Sequence, residues 1–257
     1  MKAYNFFLDI DDTLIPEGKG FISKENLSAI KKARGLGCKF FINTGRPYCD
    51  VDKSIFSDEY FDGILSGGDY AVYHGKAIYS CFMPENDMRS LMSALKNLSI
   101  DFNIGGLNHR YYLGNRKPHY RDSVYVPLIS EKDFQALYSD KEVQKYVIFD
   151  AEEPDFTARR EIERYFNVIE HPTYTEGFLL GHDKAFLIKK TEEALALPHE
   201  STVAIGDSHN DIDMMRYATY SVAMGNAPDE VKNICSFVTD TSENSGVAKA
   251  IERLLGE

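Results

Sequence analysis

Between positions 6 and 14 an apolar run, Phe6-Phe7-Leu8, meets Asp9, passes Ile10 and ends in Asp11-Asp12-Thr13-Leu14. Apolar residues on consecutive positions, without alternation, mark a strand buried on both faces, and such strands belong to parallel sheets covered by helices. The aspartates then stand at the carboxyl end of that strand, where open parallel sheets bind ligands. Taken alone, the stretch fits an acidic turn equally well, with Asp12 capping the next segment. The rest of the chain has to decide.

The same pattern recurs downstream. Ser23 is a candidate N-cap for a helix carrying Leu27, Ile30 and Ala33 on one side, with Gly35 and Gly37 as its stop. A second buried run, Lys39-Phe40-Phe41-Ile42, leads into Asn43-Thr44-Gly45-Arg46-Pro47. Strand, helix and strand form a βα unit whose strands are parallel neighbours, so Thr44 stands at a strand end as Asp9 does. Pro47, in the position that proline favours, predicts a further helix; its N–H groups and the Thr44 hydroxyl would seat a phosphate, an ordinary Thr-Gly turn being the plainer alternative. Residues 61–68 read as another short strand, and 70–79 as a hairpin turning at His74-Gly75-Lys76. Beyond residue 183 come a helix over 184–195 and a buried run over 202–205, which ends in Gly206-Asp207-Ser208-His209-Asn210-Asp211. A helix with Ile212 and Met215, a strand over 220–224, a helix after Gly225-Asn226-Ala227-Pro228, a short strand at 237–239 and a helix over 247–255 complete the chain.

The middle of the chain reads differently. Residues 84–98 have helical spacing, with Met88, Leu91, Met92 and Leu95 on one face. Strand-like segments at 100–104, 110–113, 124–129 and 146–149 are interleaved with helical stretches at 132–138 and 156–166, and 178–180 closes the region. This is an α+β insert of roughly 100 residues, large enough for a core of its own. The expected fold is α/β, a doubly wound parallel sheet (a Rossmann-like core, residues 1–82 and 182–257) with an inserted α+β domain over 83–181.

At 257 residues, 43% of them hydrophobic, the chain has material for one large domain or two unequal ones. A net charge of −11 disfavours nucleic acid and anionic membranes as partners, since both require clustered Lys and Arg. Cys38, Cys49, Cys81 and Cys235 are scattered without metal-ligand spacing, as in reduced cytosolic proteins. Asp9 arrives too early for a signal-peptide apolar region, and no apolar run approaches the roughly 20 residues that span a bilayer. The expectation is a cytoplasmic protein whose partner is a small phosphorylated metabolite, with oligomeric state left open.

Asp9, Asp11, Asp207 and Asp211 converge with Thr44 on one edge of one sheet. Carboxylates so gathered raise one another's pKa unless a cation intervenes, and all-oxygen ligands with room for water suit Mg2+. Lys184, at the start of its helix, would neutralise part of the remainder. The residues point to a Mg2+ site for a phosphorylated substrate, with a carboxylate available to attack phosphorus.

The set Asp9-Ile10-Asp11-Asp12-Thr13-Leu14, Thr44-Gly45-Arg46, Lys184 and Gly206-Asp207-Ser208-His209-Asn210-Asp211 resembles, in order, the four motifs of the haloacid dehalogenase-like hydrolases. The insert, and Val222-Ala223-Met224-Gly225-Asn226-Ala227, resemble those of the Cof-type phosphatases, subclass IIB. The resemblance implies that Asp9 is the nucleophile and forms an aspartyl-phosphate, while Asp11 shuttles the proton and reaches Mg2+ through its carbonyl. It implies that Thr44, Gly45, Lys184 and Asn210 hold phosphate, that Asp207 and Asp211 join Asp9 at the metal, and that the insert is a cap. Asp12 stands where the family more often has glycine, and Ala185 follows the lysine where glycine is usual, leaving Lys189 and Lys190 as alternatives. Gly67-Gly68-Asp69 replaces Asn-Gly-Ala, so Asp69 is a turn residue or a substrate contact. Ser242-Glu243-Asn244-Ser245-Gly246 is a loosened form of an acidic loop. Arg46, His109, Arg110 and Arg116 are candidates for substrate specificity, the last three lying in a basic and aromatic stretch that reads otherwise as a solvated edge. Asp183 is better read as an N-cap than as a metal ligand with His182. The expected activity is a Mg2+-dependent phosphatase of sugar phosphates. The alternatives are a phosphotransferase or phosphomutase with the same intermediate, or a non-enzymatic phospho-acceptor or ligand-binding regulator.

Overall fold

Phe6 stacks on Phe40 with ring centroids 4.6 Å apart, and on the opposite face of the same two strands Phe7 stacks on Phe41 at 4.9 Å. Two buried aromatic pairs, one per face, require helices on both sides, and the computed structural model has them. It describes residues 2–97, 102–113, 125–127, 132–133, 135, 145–149, 156–170 and 174–256.

In chain order the first part comprises β1 (Asn5–Leu8), α1 (Lys24–Gly35), β2 (Lys39–Thr44), β3 (Gly63–Ser66), β4 (Tyr70–Tyr73) and β5 (Lys76–Ser80). The insert supplies α2 (Glu85–Asn97), β6 (Phe102–Gly105), β7 (Arg110–Leu113), β8 (Tyr125–Pro127), β9 (Lys145–Phe149), α3 (Phe156–Glu163), β10 (Phe166–Glu170) and β11 (Tyr174–Leu179). The chain then returns through α4 (Lys184–Leu195), β12 (Thr202–Gly206), α5 (Ile212–Tyr217), β13 (Tyr220–Ala223), α6 (Asp229–Lys232), β14 (Phe237–Val238) and α7 (Gly246–Leu255).

The larger sheet has eight strands in the order β14-β13-β12-β1-β2-β3-β4-β5, parallel except for the hairpin β4–β5 at one edge. Ile30 and Ala33 of α1 and Val247, Ala250 and Ile251 of α7 bury one face. Leu187 and Ile188 of α4 and Met214 and Met215 of α5 bury the other. Each buried Val, Leu, Ile or Met among these contributes about 1.5–3 kcal/mol, and the continuous apolar runs of β1, β2 and β12 follow from two covered faces. Local signals set the helix starts: Ser23 accepts from the Asn26 N–H, and Asp183 accepts from the Phe186 N–H at 2.7 Å. Leu8 lies level with both Ile42 and Ile205. Asp9, Thr44 and Asp207 therefore leave the sheet within one residue of the same line.

The insert forms a separate six-stranded sheet, β10-β11-β9-β6-β7-β8, antiparallel but for β7–β8. Here side chains alternate. Ile104 and Tyr111 point to one face, where Met88, Leu91 and Leu95 of α2 and Ile162 of α3 cover them. Asn103 and Arg110 point to the other.

Two expectations need correction. The helix expected over 156–166 ends at Glu163, and Phe166–Glu170 is a strand, because Phe166 pairs with Leu179 and the β-branched Val168 and Ile169 continue the ladder. The helix expected at Pro47 is a single 3-10 turn, Tyr48–Asp50, ended by the extended backbone of Val51 (ψ 112°), and the Cys49 N–H, which a helix start would leave without a partner, bonds the Gly106 carbonyl of the insert at 3.1 Å. The basic segment 116–121, with Arg116, and most of 132–138 lie outside the described residues. Among the described residues no helix is long and apolar enough to cross a membrane.

Candidate active site

Asp9 follows β1 directly, its N–H held by the Ile205 carbonyl at 3.0 Å and its side chain buried, with 5% of the residue exposed. Lys184, at the first turn of α4 and 2% exposed, donates from Nζ to Asp9 Oδ1 at 2.7 Å and also to Asp211 Oδ1. Asn43 fixes that helix start by donating from Nδ2 to the Lys184 carbonyl at 3.0 Å. Beyond β12, Asp207 Oδ1 accepts from the Thr13 hydroxyl at 2.8 Å. Asp211 Oδ2 accepts from the Asp207 and Ser208 N–H groups at 2.9 and 3.0 Å and closes a capping box with Ser208. Gly206 makes this fold-back possible, because a Cβ there would lie 2.5 Å from the Asp211 carboxyl carbon.

Asp9, Asp207 and Asp211 each offer a carboxylate oxygen, all within 4.8 Å of one another. Burial pushes the Asp9 carboxyl well above the usual range, Lys184 pulls it back, and Asp211, Asp207 and Asp11 push it up again. Burial, then the Asp211 charge, raises Asp207 to about 7. Burial works against the ammonium of Lys184, but Asp211 and Asp9 outweigh it and hold its pKa above the ordinary lysine value. Three carboxylates against one ammonium leave an excess of negative charge in a buried place with oxygen donors only. That donor set fits a hard divalent cation such as Mg2+.

Asp11 stands outside this cluster, with half its side chain exposed. Arg46 grips it with two donors, Nε to Oδ2 at 2.8 Å and Nη2 to Oδ1. Arg46 is itself held by the backbone, its N–H donating to Thr44 Oγ1 at 3.1 Å and its carbonyl accepting from Ser66 Oγ at 2.7 Å. Thr44 and Gly45 are buried on this loop. Asn210 turns its Oδ1 to the Ser208 hydroxyl at 2.9 Å.

Asp12 has a left-handed backbone, φ 55°, and its Oδ1 accepts from the Glu17 N–H at 2.7 Å. Asp69 is fully buried after the Gly67-Gly68 turn, where a Cβ on Gly68 would meet the His182 carbonyl at 2.8 Å. His182 stacks on Phe186. His109 lies edge-on to Tyr111, and Arg110 is buried against Asp50 and Asn103. Thr13, Asn43, Asp50 and the Arg46–Asp11 pairing were not expected. A polar Asn43 within a buried run was the one local signal among them.

The family model for haloacid dehalogenase-like hydrolases matches residues 6–251. The 5-amino-6-(5-phospho-D-ribitylamino)uracil phosphatase YitU of Bacillus subtilis (strain 168) is 26% identical, over 98% of this chain and 97% of its own. The putative phosphatase YkrA of the same organism is 29% identical, over 99% of this chain and 98% of its own. Among solved structures, the HAD subclass IIB sugar phosphatase BT4131 superposes with a TM-score of 0.81 at 23% identity, covering 99% of both chains. TM0651 from Thermotoga maritima does so with a TM-score of 0.83 at 22% identity, covering 98% of this chain and 97% of its own; at such identities the likeness is one of fold. With the match running from the first strand to the last helix, and the motif clusters gathered on adjacent strand ends, the chain belongs to the haloacid dehalogenase-like hydrolases and is a phosphatase of that family.

Proposed function

We propose that this phosphatase hydrolyses small phosphorylated metabolites, sugar phosphates foremost, using Mg2+ and an aspartyl-phosphate on Asp9. The observation that carries the reading is the buried cluster of Asp9, Asp207 and Asp211 around Lys184. A relative named for a phosphorylated ribityl compound supports a polyol-like leaving group.

Asp9, Asp207 and Asp211, with the Asp11 backbone carbonyl, would hold Mg2+. When bound, the ion supplies positive charge against the phosphoryl oxygens and keeps the carboxylates ionised. Lys184, Thr44, Gly45 and Asn210 hold the phosphoryl group. An Asp9 oxygen attacks phosphorus as the ester P–O bond breaks, and Asp11 gives its proton to the departing oxygen. Asp11 then takes a proton from water, whose oxygen displaces Asp9 and releases phosphate. Both Asp11 oxygens accept from Arg46, so Asp11 has to turn away from Arg46 to carry a proton to the leaving group, and its exposure leaves room for that movement. Positioning and charge neutralisation do most of the catalysis, as in phosphoryl transfer generally. The insert, residues 83–181, is the cap over a core of 1–82 and 182–257; its polar sheet face, with Asn103 and Arg110, is turned to the leaving group, and His109, beside Tyr111, is a further candidate contact of the cap. Arg46 and Asp69 are the core's candidates for substrate contact; Arg116 is the cap's further candidate.

The test is phosphate release from a panel of sugar, sugar-alcohol and nucleoside phosphates, with Mg2+ and after chelation. Hydrolysis of sugar and polyol esters that stops on chelation and returns with Mg2+ is expected. Full activity in chelator sinks the metal assignment, and phosphate found on a second sugar carbon instead of in solution makes the enzyme a phosphotransferase.

A further inference from the structure

The turn Tyr48–Asp50, two residues beyond Arg46, meets strand β7 of the cap. Asp50 Oδ2 accepts from Arg110 Nε at 2.6 Å and also from Nη2, while Arg110 Nη1 donates to Asn103 Oδ1 at 2.7 Å. Only 1% of the Asp50 side chain and 4% of the Arg110 side chain are exposed. The backbones are joined beside the pair, Cys49 N–H to the Gly106 carbonyl. Burial, with the Asp50 charge, pushes the Cys49 thiol up to about 12, so the seam carries no third charge from it.

A fully buried ion pair adds little net adhesion, because desolvating two charges offsets most of their attraction. Removing or displacing one member is what costs, since the other then stays buried without the charge it was paired with. A pair that spans two bodies is therefore a register device. Apart, both charges are hydrated; together, they tolerate one relative placement and penalise its neighbours. Its Asp50 sits on the loop that follows Thr44 and Arg46, so the placement the pair selects is that of the cap over the reacting groups.

We propose that Asp50 and Arg110 are positioning residues, which set the register in which the cap closes over the Asp9 site. The proposal rests on the reading of the insert as a cap, and it reassigns Arg110 from substrate contact to this joint. The experiment uses the full chain with Mg2+ and compares Asp50→Asn, Arg110→Met and the apolar double variant Asp50→Leu/Arg110→Met. The measurements are KM and kcat on the best sugar phosphate, and amide hydrogen exchange of residues 46–50 and 102–106. Each single variant is expected to raise KM about tenfold or more, equivalent to about 1.4 kcal/mol, and to speed exchange at the seam. The double variant, with no charge left to strand, is expected to recover most of both. Single variants that leave KM and seam exchange unchanged overturn the proposal, as does a double variant no better than the worse single. If Asp50→Asn does not fold, Asp50→Glu, which keeps the charge and misplaces it, must show the same faster seam exchange in a folded protein. Exchange reads the seam even if no phosphate ester turns over, so failure of the functional reading is distinguishable from failure of this one.

Discussion

The eight-stranded sheet and the six-stranded sheet bury their residues by opposite rules. In the first, β1, β2 and β12 are apolar through their middles, both faces are covered, and polar residues stand toward the strand ends. In the second, alternate residues face α2 and α3, and the remaining face is left polar, with Asn103 and Arg110 on it. Two covered faces drive charge to one edge and concentrate Asp9, Thr44, Asp207 and Asp211 there. One covered face spreads polar side chains over a surface instead. Reactive groups that must converge within a few ångströms suit the first arrangement, and groups that read the shape of a leaving group suit the second.

Substituting Asp9, the proposed nucleophile, probes the difference most strongly. Asp9→Asn is expected to lower kcat by about 10³-fold or more with an unchanged circular dichroism spectrum, whereas His109→Ala on the insert should alter KM by no more than about tenfold. Comparable losses in kcat from both would break the division of labour. Next, Phe166→Ala, at a position 1% exposed inside the insert, should cost that sheet about 3–5 kcal/mol, read as faster hydrogen exchange in β10 and β11. Calorimetric Mg2+ affinity should stay within about twofold; a parallel fall would mean that the two sheets are one cooperative unit.

A pH dependence is expected of the larger sheet. Asp207 rises from 3.8 to about 7, so between these values the folded protein keeps a proton that the unfolded chain has released. Its contribution is therefore present below about 4 and lost as pH rises through about 7. The loss is at most about 4 kcal/mol, and Mg2+ should oppose it. Urea midpoints of the metal-free protein at pH 5 and 8 should differ in that sense, and a flat profile would remove the electrostatic account of the cluster. The smallest effect is expected at Asp12→Gly, where glycine suits the left-handed backbone but forfeits the bond to the Glu17 N–H. The two nearly cancel, leaving the thermal midpoint shifted by less than about 1 kcal/mol equivalent. A larger loss would show that the Asp12 side chain organises the loop.

The larger sheet was legible because its signals are local. A run such as Phe40-Phe41-Ile42 states its own burial, Ser23 and Asp183 announce the helices that follow, and the acidic clusters sit where strands stop. Pairings chosen across space carried no such signal. Arg46 binds Asp11 from 35 positions away and Arg110 binds Asp50 from 60, and the sequence offered the arginines only as candidate substrate contacts, Arg110 reading otherwise as part of a solvated edge. Strand β10 was hidden for another reason: Phe166 continues a helical spacing from Ile162 and also begins an alternating ladder, and pairing with β11 decides between them. At Pro47 the local preference for a helix start was real, but the chain turned extended at Val51 after a single turn.

Lys184 donates to both Asp9 and Asp211, so the proposed nucleophile has a counter-ion that the chain itself supplies. On the proposed reading, an incoming phosphoryl group does not recruit that cation from solvent. It joins a stationary ammonium already stripped of water, and the exchange is one of anions around a fixed centre. The same lysine that meets the ester returns to its aspartates when inorganic phosphate leaves, so its buried charge keeps a partner at both ends of the proposed cycle.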